Sequence, residues 1–213
     1  MSSFALITEG ITDQITLETI LYEHYDSDLE ITSIQPIRDA TDESRQQDSG
    51  GWEKVFEYCT LPDFQDSFLF NEYVVIQIDT DCAEHVNFGV AITDNGKDRP
   101  QIDIINDVIN LLISKIGEDV YSEYKERILF AISVHSLECW YLPLFETLRA
   151  KQSRSKNCAG HLCIAVAKRN IFYKKEYEVY KNLAKAFKTK NAINQCIKLN
   201  ESFGIFIRSL PKF

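Results

Sequence analysis

Four carboxylates stand where a folded chain would bring them together. Glu9 follows the apolar run at residues 4–8, and Asp79 and Asp81 follow the run Tyr-Val-Val-Ile-Gln-Ile at 73–78. Glu138 comes shortly after the run Ile-Leu-Phe-Ala-Ile-Ser-Val at 128–134. A lone Asp or Glu in such a place is an ordinary turn or helix-cap residue. A set of four points elsewhere, because crowded carboxylates repel one another unless a hard cation lies between them, and all-oxygen ligands suit magnesium or manganese. The chemistry this favours is phosphodiester hydrolysis. A bound Mg2+ polarises the phosphate, neutralises developing charge and lowers the pKa of an attacking water. Asp79 and Asp81, two apart just past a strand, can face one crevice, and the set accommodates one ion or two.

These carboxylates need elements to hold them. The three apolar runs read as buried strands, and in an open parallel sheet ligands bind beyond the carboxyl ends of the strands. Between the first two runs, residues 12–24 place Leu17, Ile20, Leu21 and His24 at helical spacing, with Thr12 or Asp13 positioned to cap the helix. Residues 31–37 alternate as a further strand, near a sheet edge because of Pro36. Residues 38–51 are polar and read as a loop, 52–59 as a short helix, and the stretch up to Pro100 as a second loop. Residues 102–116 carry Ile105, Val108, Ile109, Leu112 and Ile116 on one helical stripe. Strand and helix in alternation predict an α/β fold, a parallel sheet of about four strands flanked by helices. After Glu146 the strands stop. Residues 161–213 read as three or four helices, the last with Phe203, Phe206, Ile207 and Leu210 on one face. The predicted division is an α/β domain at 1–148 and a basic helical region at 149–213.

Composition supports a folded chain and excludes a disordered or collagen-like one: of 213 residues, 45% are hydrophobic and 26% charged, with only 8 Gly and 5 Pro. No apolar run approaches the length needed to cross a bilayer. The first residues, Met-Ser-Ser-Phe, form no basic leader. A soluble, cytoplasmic protein whose six cysteines (59, 82, 139, 158, 163 and 196) stay reduced is the expectation. The formal charge of −9 hides a division. Residues 1–148 hold 8 Lys and Arg against 29 Asp and Glu, a net of −21, while residues 149–213 hold 15 against 3, a net of +12.

A basic surface beside an acidic body suits a polyanion, although the two regions can also neutralise each other by packing. On a helical wheel at about 100° per residue, Lys174, Lys181, Lys185 and Lys188 share one face. Tyr173, Tyr177, Tyr180, Ala184 and Phe187 share the next. The lysines, with Lys175, are candidates to neutralise the phosphates of DNA or RNA, and the aromatics either stack bases or belong to the core.

The turn Phe4-Ala5-Leu6-Ile7-Thr8-Glu9-Gly10-Ile11-Thr12-Asp13, with the later strand running into Asp79-Thr80-Asp81, resembles the TOPRIM domain of primases, topoisomerases and OLD-type nucleases. The resemblance covers roughly residues 4–135. It implies a metal-dependent nuclease in which Glu9 acts as general acid or base or helps hold the metal, and Asp79 and Asp81 bind Mg2+ (or Mn2+). The segment Ser136-Leu137-Glu138-Cys139-Trp140-Tyr141-Leu142 looks like one in small TOPRIM-like proteins of bacterial defence loci, which adds Glu138 to the catalytic set. That likeness implies an effector of antiphage defence, with an ATPase or sensor protein as a partner. OLD-type nucleases also use a basic residue further along the chain, for which Lys174 and Lys175 are the candidates.

Other signals are weaker. Cys158, His161 and Cys163 are irregularly spaced for zinc and read as free thiols with a nearby histidine. His85 reads as a solvated loop residue, and His135, three residues before Glu138, as a capping or core residue. Two other functions compete. One is a binding module whose acidic crevice is a relic. The other is a phosphatase of the haloacid dehalogenase type, whose D-x-D-x-T/V motif this chain departs from at Ala83.

Overall fold

Strand β1 (Ser2–Ile7) and strand β3 (Tyr73–Asp79) are apolar on both faces, as central strands of a parallel sheet must be. In the computed structural model, which describes residues 2–25, 28–37 and 51–212, they lie side by side at the middle of a four-stranded sheet. Strand β2 (Leu29–Gln35) takes one edge and β6 (Ile128–Ser133) the other, in the order β2-β1-β3-β6. All pairings are parallel, with Phe4 opposite Tyr73 and Asp79 opposite Ser133. The expected four-stranded parallel α/β fold is therefore present, with the Pro-flanked strand at an edge as its sequence requires. The loop expected at 38–51 lies, save for Gly51, outside the described residues. The loop up to Pro100 contains a short antiparallel hairpin, β4 (Thr93–Asp94) with β5 (Lys97–Asp98).

Strand alternation divides the core in two. Phe4, Leu6, Val75, Leu129 and Ala131 face α1 (Ile11–Tyr25), α6 (Glu138–Phe145), α8 (Cys158–Ala167), α9 (Tyr177–Ala184), α10 (Lys190–Leu199) and α11 (Glu201–Ser209). Ala5, Ile7, Val74, Ile76, Ile78, Ile128 and Ile132 face α2 (Trp52–Cys59), α3 (Pro62–Phe70) and α4 (Gln101–Ile116), beside which lies α5 (Glu118–Tyr124). The basic C-terminal region supplies most of one layer. Trp140 of α6 stacks on Phe206 at 5.6 Å between ring centres and meets Phe203 edge-on at 5.3 Å, while Tyr141 meets Phe187 at 4.9 Å. The boundary at 148/149 thus separates charge but not cores.

Two expectations are corrected. Cys139 and Cys158 form a disulfide joining α6 to α8, so the six thiols are not all reduced; Cys59, Cys82, Cys163 and Cys196 are free. The wheel that grouped Lys174 with Lys188 assumed one continuous helix. Helix α9 runs only from Tyr177 to Ala184, followed by a single tighter turn at Lys185–Phe187, so Lys174 and Lys188 lie outside it. The neighbouring aromatics Tyr177, Tyr180 and Phe187 are buried, which gives them to the core rather than to base stacking. Among the described residues no helix is long and apolar enough to cross a membrane.

Candidate functional site

The carboxyl end of β1 turns at Glu9-Gly10 into α1. Gly10 is the N-cap: Asp13 and Gln14 donate their backbone N–H groups to its carbonyl at 3.1 Å. Asp13, at the third helical position, folds its carboxylate back onto the Gly10 N–H, the return half of a capping box. A side chain on residue 10 would crowd that carboxylate, since a Cβ there would stand 3.2 Å from Asp13 Oδ2. The cap expected at Thr12 or Asp13 falls on Gly10 instead, so Asp13 lies in the first turn, where it supports the cap and is only 3% exposed, facing the acidic end of the sheet. The sequence reading left it out of the site. Its signal was its position four residues after Glu9.

Glu9 and Asp79 interlock. Glu9 Oε1 accepts the backbone N–H of Asp79 at 2.6 Å, and Gln77 links the two residues from the other side. The Gln77 side-chain Oε1 accepts the Glu9 N–H at 3.2 Å, and its Nε2 donates to Asp79 Oδ1 at 2.9 Å. Asp79 Oδ1 also accepts the Leu137 N–H at 3.1 Å, which ties the end of β3 to the start of α6. Thr80 closes the same seam. Its N–H donates to the carbonyls of Ser133 and His135, and its hydroxyl accepts the His135 N–H at 2.7 Å. This turn carries His135 at a left-handed φ of 63°. His135 therefore takes part in this turn through its backbone, and among the described residues it makes no capping bond to α6, whose N-cap is Leu137. Asp81 is exposed at the rim. His85 lies in the following loop against Trp52, 5.5 Å between ring centres. Gln77 was not anticipated as a site residue, though an amide within Val-Val-Ile-Gln-Ile was its visible sign.

Glu138 opens α6 and is 2% exposed. Its Oε1 accepts the hydroxyls of Tyr180, in a very short bond, and Tyr173, at 3.4 Å; the two hydroxyls are 2.8 Å apart. Lys175 brings its ammonium to 3.7 Å from the same oxygen. Three residues of the C-terminal region thus converge on a carboxylate of the sheet. Lys175 was expected on a nucleic-acid surface or as a catalytic cation. The structure places it against the acidic site.

The electrostatics divide the carboxylates. Burial pushes the Glu9 carboxyl up to about 8 against the pull of the Asp79 N–H, with Asp13 and Asp81 adding to the rise. Burial likewise lifts Asp13 to about 7, opposed by Lys175 and reinforced by Glu138. Asp79 is held well above the usual carboxylate range by burial first, then by Glu9, Asp13 and Glu138. For Glu138, burial would raise the pKa, but Lys175 and the Tyr180 hydroxyl outweigh it and hold the group below its ordinary value. Lys175 is raised, because the fields of Asp13, Glu138, Asp79 and Glu9 outweigh its own desolvation.

Glu9, Asp13, Asp79, Asp81 and Glu138 therefore share one region with one ammonium. Among the described residues no group of three or more His, Cys, Asp or Glu side chains is closed around a single point as a metal shell. The donor chemistry nevertheless fits a hard divalent cation: the set is all-oxygen, and burial first, then mutual repulsion, holds Glu9, Asp13 and Asp79 above the usual carboxylate range despite Lys175. A buried hydroxyl points the same way. Ser133 Oγ, opposite Asp79 in the sheet register and on the same face, has no hydrogen-bond partner among the described residues.

The remaining predicted lysines do not reach this region. Lys174 pairs with Glu176 at 2.8 Å, Lys181 pairs with Glu178 at 3.3 Å, and Lys185 donates to Asn182 at 2.8 Å. Lys181, Lys185 and Lys188 line a groove of about 470 Å³ against α1, whose Glu18 and Glu23 line it too. Comparison with protein-family models, with curated proteins and with solved structures finds no match for the chain.

Proposed function

We propose that this protein is a divalent-cation-dependent nuclease of the TOPRIM kind, hydrolysing phosphodiester bonds in DNA or RNA. The observation that carries the reading is the meeting of Glu9, Asp13 and Asp79 at the carboxyl ends of the two central strands, with Glu138 and Lys175 beside them. Glu9, Asp79 and Asp81 would hold Mg2+ or Mn2+, with Asp13 behind them. The ion's contribution when bound is to polarise the phosphate and acidify an attacking water.

The chain's own groups do the rest. Glu9, whose carboxyl retains its proton to about 8 without a cation, is suited to give or take a proton near neutral pH. Glu138 is held ionised and fixed by Tyr173, Tyr180 and Lys175. Lys175, 3.7 Å from Glu138 and more than half exposed, would supply positive charge to a phosphate in the crevice. Gln77 and the Leu137 N–H hold Asp79 in one orientation. The reading is tested by incubating the protein with single- and double-stranded DNA, tRNA and other RNA, with Mg2+, with Mn2+ and with chelator. Cleavage that requires the cation supports it. No cleavage of any substrate, together with no cation binding by calorimetry, would favour a binding module with a relic site.

A further inference from the structure

A second surface bears on how a substrate is held. Between α10 and the short helix α7 (Arg149–Gln152) lies a groove of about 760 Å³ lined by Arg149, Gln152, Asn191, Asn194, Gln195 and Lys198. Its side chains follow from helix periodicity. Residues 191, 194, 195 and 198 fall on one exposed face of α10, while Ala192, Ile193 and Cys196 bury the other. None of the lining residues is acidic, in a protein of formal charge −9. Among the described residues Arg149 and Lys198 make no ion pair and Asn191 and Asn194 no side-chain hydrogen bond, whereas Lys174, Lys175 and Lys181 each pair with a glutamate. The groove floor is fixed by Gln152 and Gln195, whose amides both donate to the Pro143 carbonyl near the end of α6. Glu138 stands at the other end of that helix, about 8 Å away along its axis at 1.5 Å per residue.

We infer that this groove binds a single-stranded nucleic acid, with Arg149 and Lys198 on its phosphates and Asn191 and Asn194 on its base edges. The assignment rests on the nuclease reading for its purpose but not for its geometry. Two cations that make no ion pair among the described residues, in a groove whose lining holds no carboxylate, suit a phosphodiester chain. Carboxamides with free donors and acceptors read base edges, which are open to them when the strand is unpaired.

The test uses the full chain in chelator, where cutting is off, and fluorescence anisotropy with end-labelled single-stranded DNA, single-stranded RNA and duplex DNA of one sequence. Each phosphate contact contributes about 0.7 to the salt slope on a single strand. Arg149→Gln with Lys198→Gln should therefore flatten the slope by about 1.4 and weaken binding about 25-fold at 0.1 M salt. Asn191→Ala with Asn194→Ala should weaken binding with the slope unchanged. Lys181→Gln with Lys185→Gln should change neither. An unaltered slope in the first variant, duplex binding tighter than either single strand, or no binding by the unmodified protein would overturn the assignment. Binding that depends on Arg149 and Lys198 without any Mg2+-dependent cutting would sink the nuclease reading and leave the groove standing. Cutting by a protein whose groove variants bind normally would do the reverse.

Discussion

Replacing Glu9 by Gln tests the electrostatic account of the site without removing its shape. The amide oxygen can still accept the Asp79 N–H now bound at 2.6 Å, so the seam between β1 and β3 survives. What disappears is a carboxyl whose pKa rises from 4.5 to about 8 on folding. The folded state holds that proton more tightly than the unfolded chain. Stability from this group is thus full below the unfolded value, falls as pH rises from there, and is lost once pH passes about 8. At about 1.4 kcal/mol per unit the full shift corresponds to about 5 kcal/mol. Solvent at the partly exposed carboxyl and proton sharing with Asp13 and Asp79 reduce this to about 2 kcal/mol, or about 4–8 °C in Tm for a chain of this size. Thermal melts in chelator at about pH 5 and pH 8.5 provide the assay. The Gln variant should match the unmodified protein at the lower pH and exceed it by that margin at the higher. Adding Mg2+ at the higher pH should raise the unmodified protein more than the variant, and cleavage by the variant should fall by about two orders of magnitude or more. Equal loss of stability with pH in both proteins would refute the reasoning, because Glu9 would then not be an uncompensated buried acid.

Further outcomes are expected elsewhere in the site and its frame. Lys175→Met should lower the single-turnover rate by about 10²–10³ while Mg2+ affinity by calorimetry holds or rises, since a competing cation is gone; an unchanged rate would remove Lys175 from the chemistry. Tyr180→Phe deletes a buried donor to an ionised carboxylate, so urea unfolding near neutral pH should show a loss of about 1.5–3 kcal/mol, and no measurable loss would contradict the Glu138 arrangement. Reducing the Cys139–Cys158 bond, which closes a separation of 19 residues, should cost about 3 kcal/mol by chain entropy, read as a lower Tm in dithiothreitol that Cys158→Ala reproduces. A Tm indifferent to reductant would count against the bond.

The strand ends were legible because a buried parallel strand must be apolar and must stop at its first charge, which is how Glu9 and Asp79 stand out. Asp13 was half legible. Its local helix-capping role is written in the chain, but its burial against Glu138 and Lys175 depends on α1 packing beside α6 and α9. Lys175 was visible only as one of many lysines, since nothing local encodes a contact with a carboxylate 37 residues earlier. The wheel over residues 174–188 failed because helical periodicity cannot show where a helix begins. Helix α3 was missed because its buried apolar face is only Phe64 and Phe68, too short a stripe to read, although Pro62 at its first position marked a start. The disulfide gave no signal because two cysteines 19 apart meet only once α6 and α8 are packed.

The central claim, that the carboxylates at the strand ends form a cation-dependent hydrolytic site, is tested most directly by Asp79→Asn. Asn keeps an oxygen for the Gln77 and Leu137 N–H groups and relieves repulsion with Glu9, Asp13 and Glu138, so the variant should melt at or above the unmodified Tm. With Mg2+ and a labelled nucleic acid, the unmodified protein should cut and the variant should cut at least about a hundredfold more slowly. Cleavage by the variant at the unmodified rate would contradict the account, as would a variant that loses activity only by unfolding.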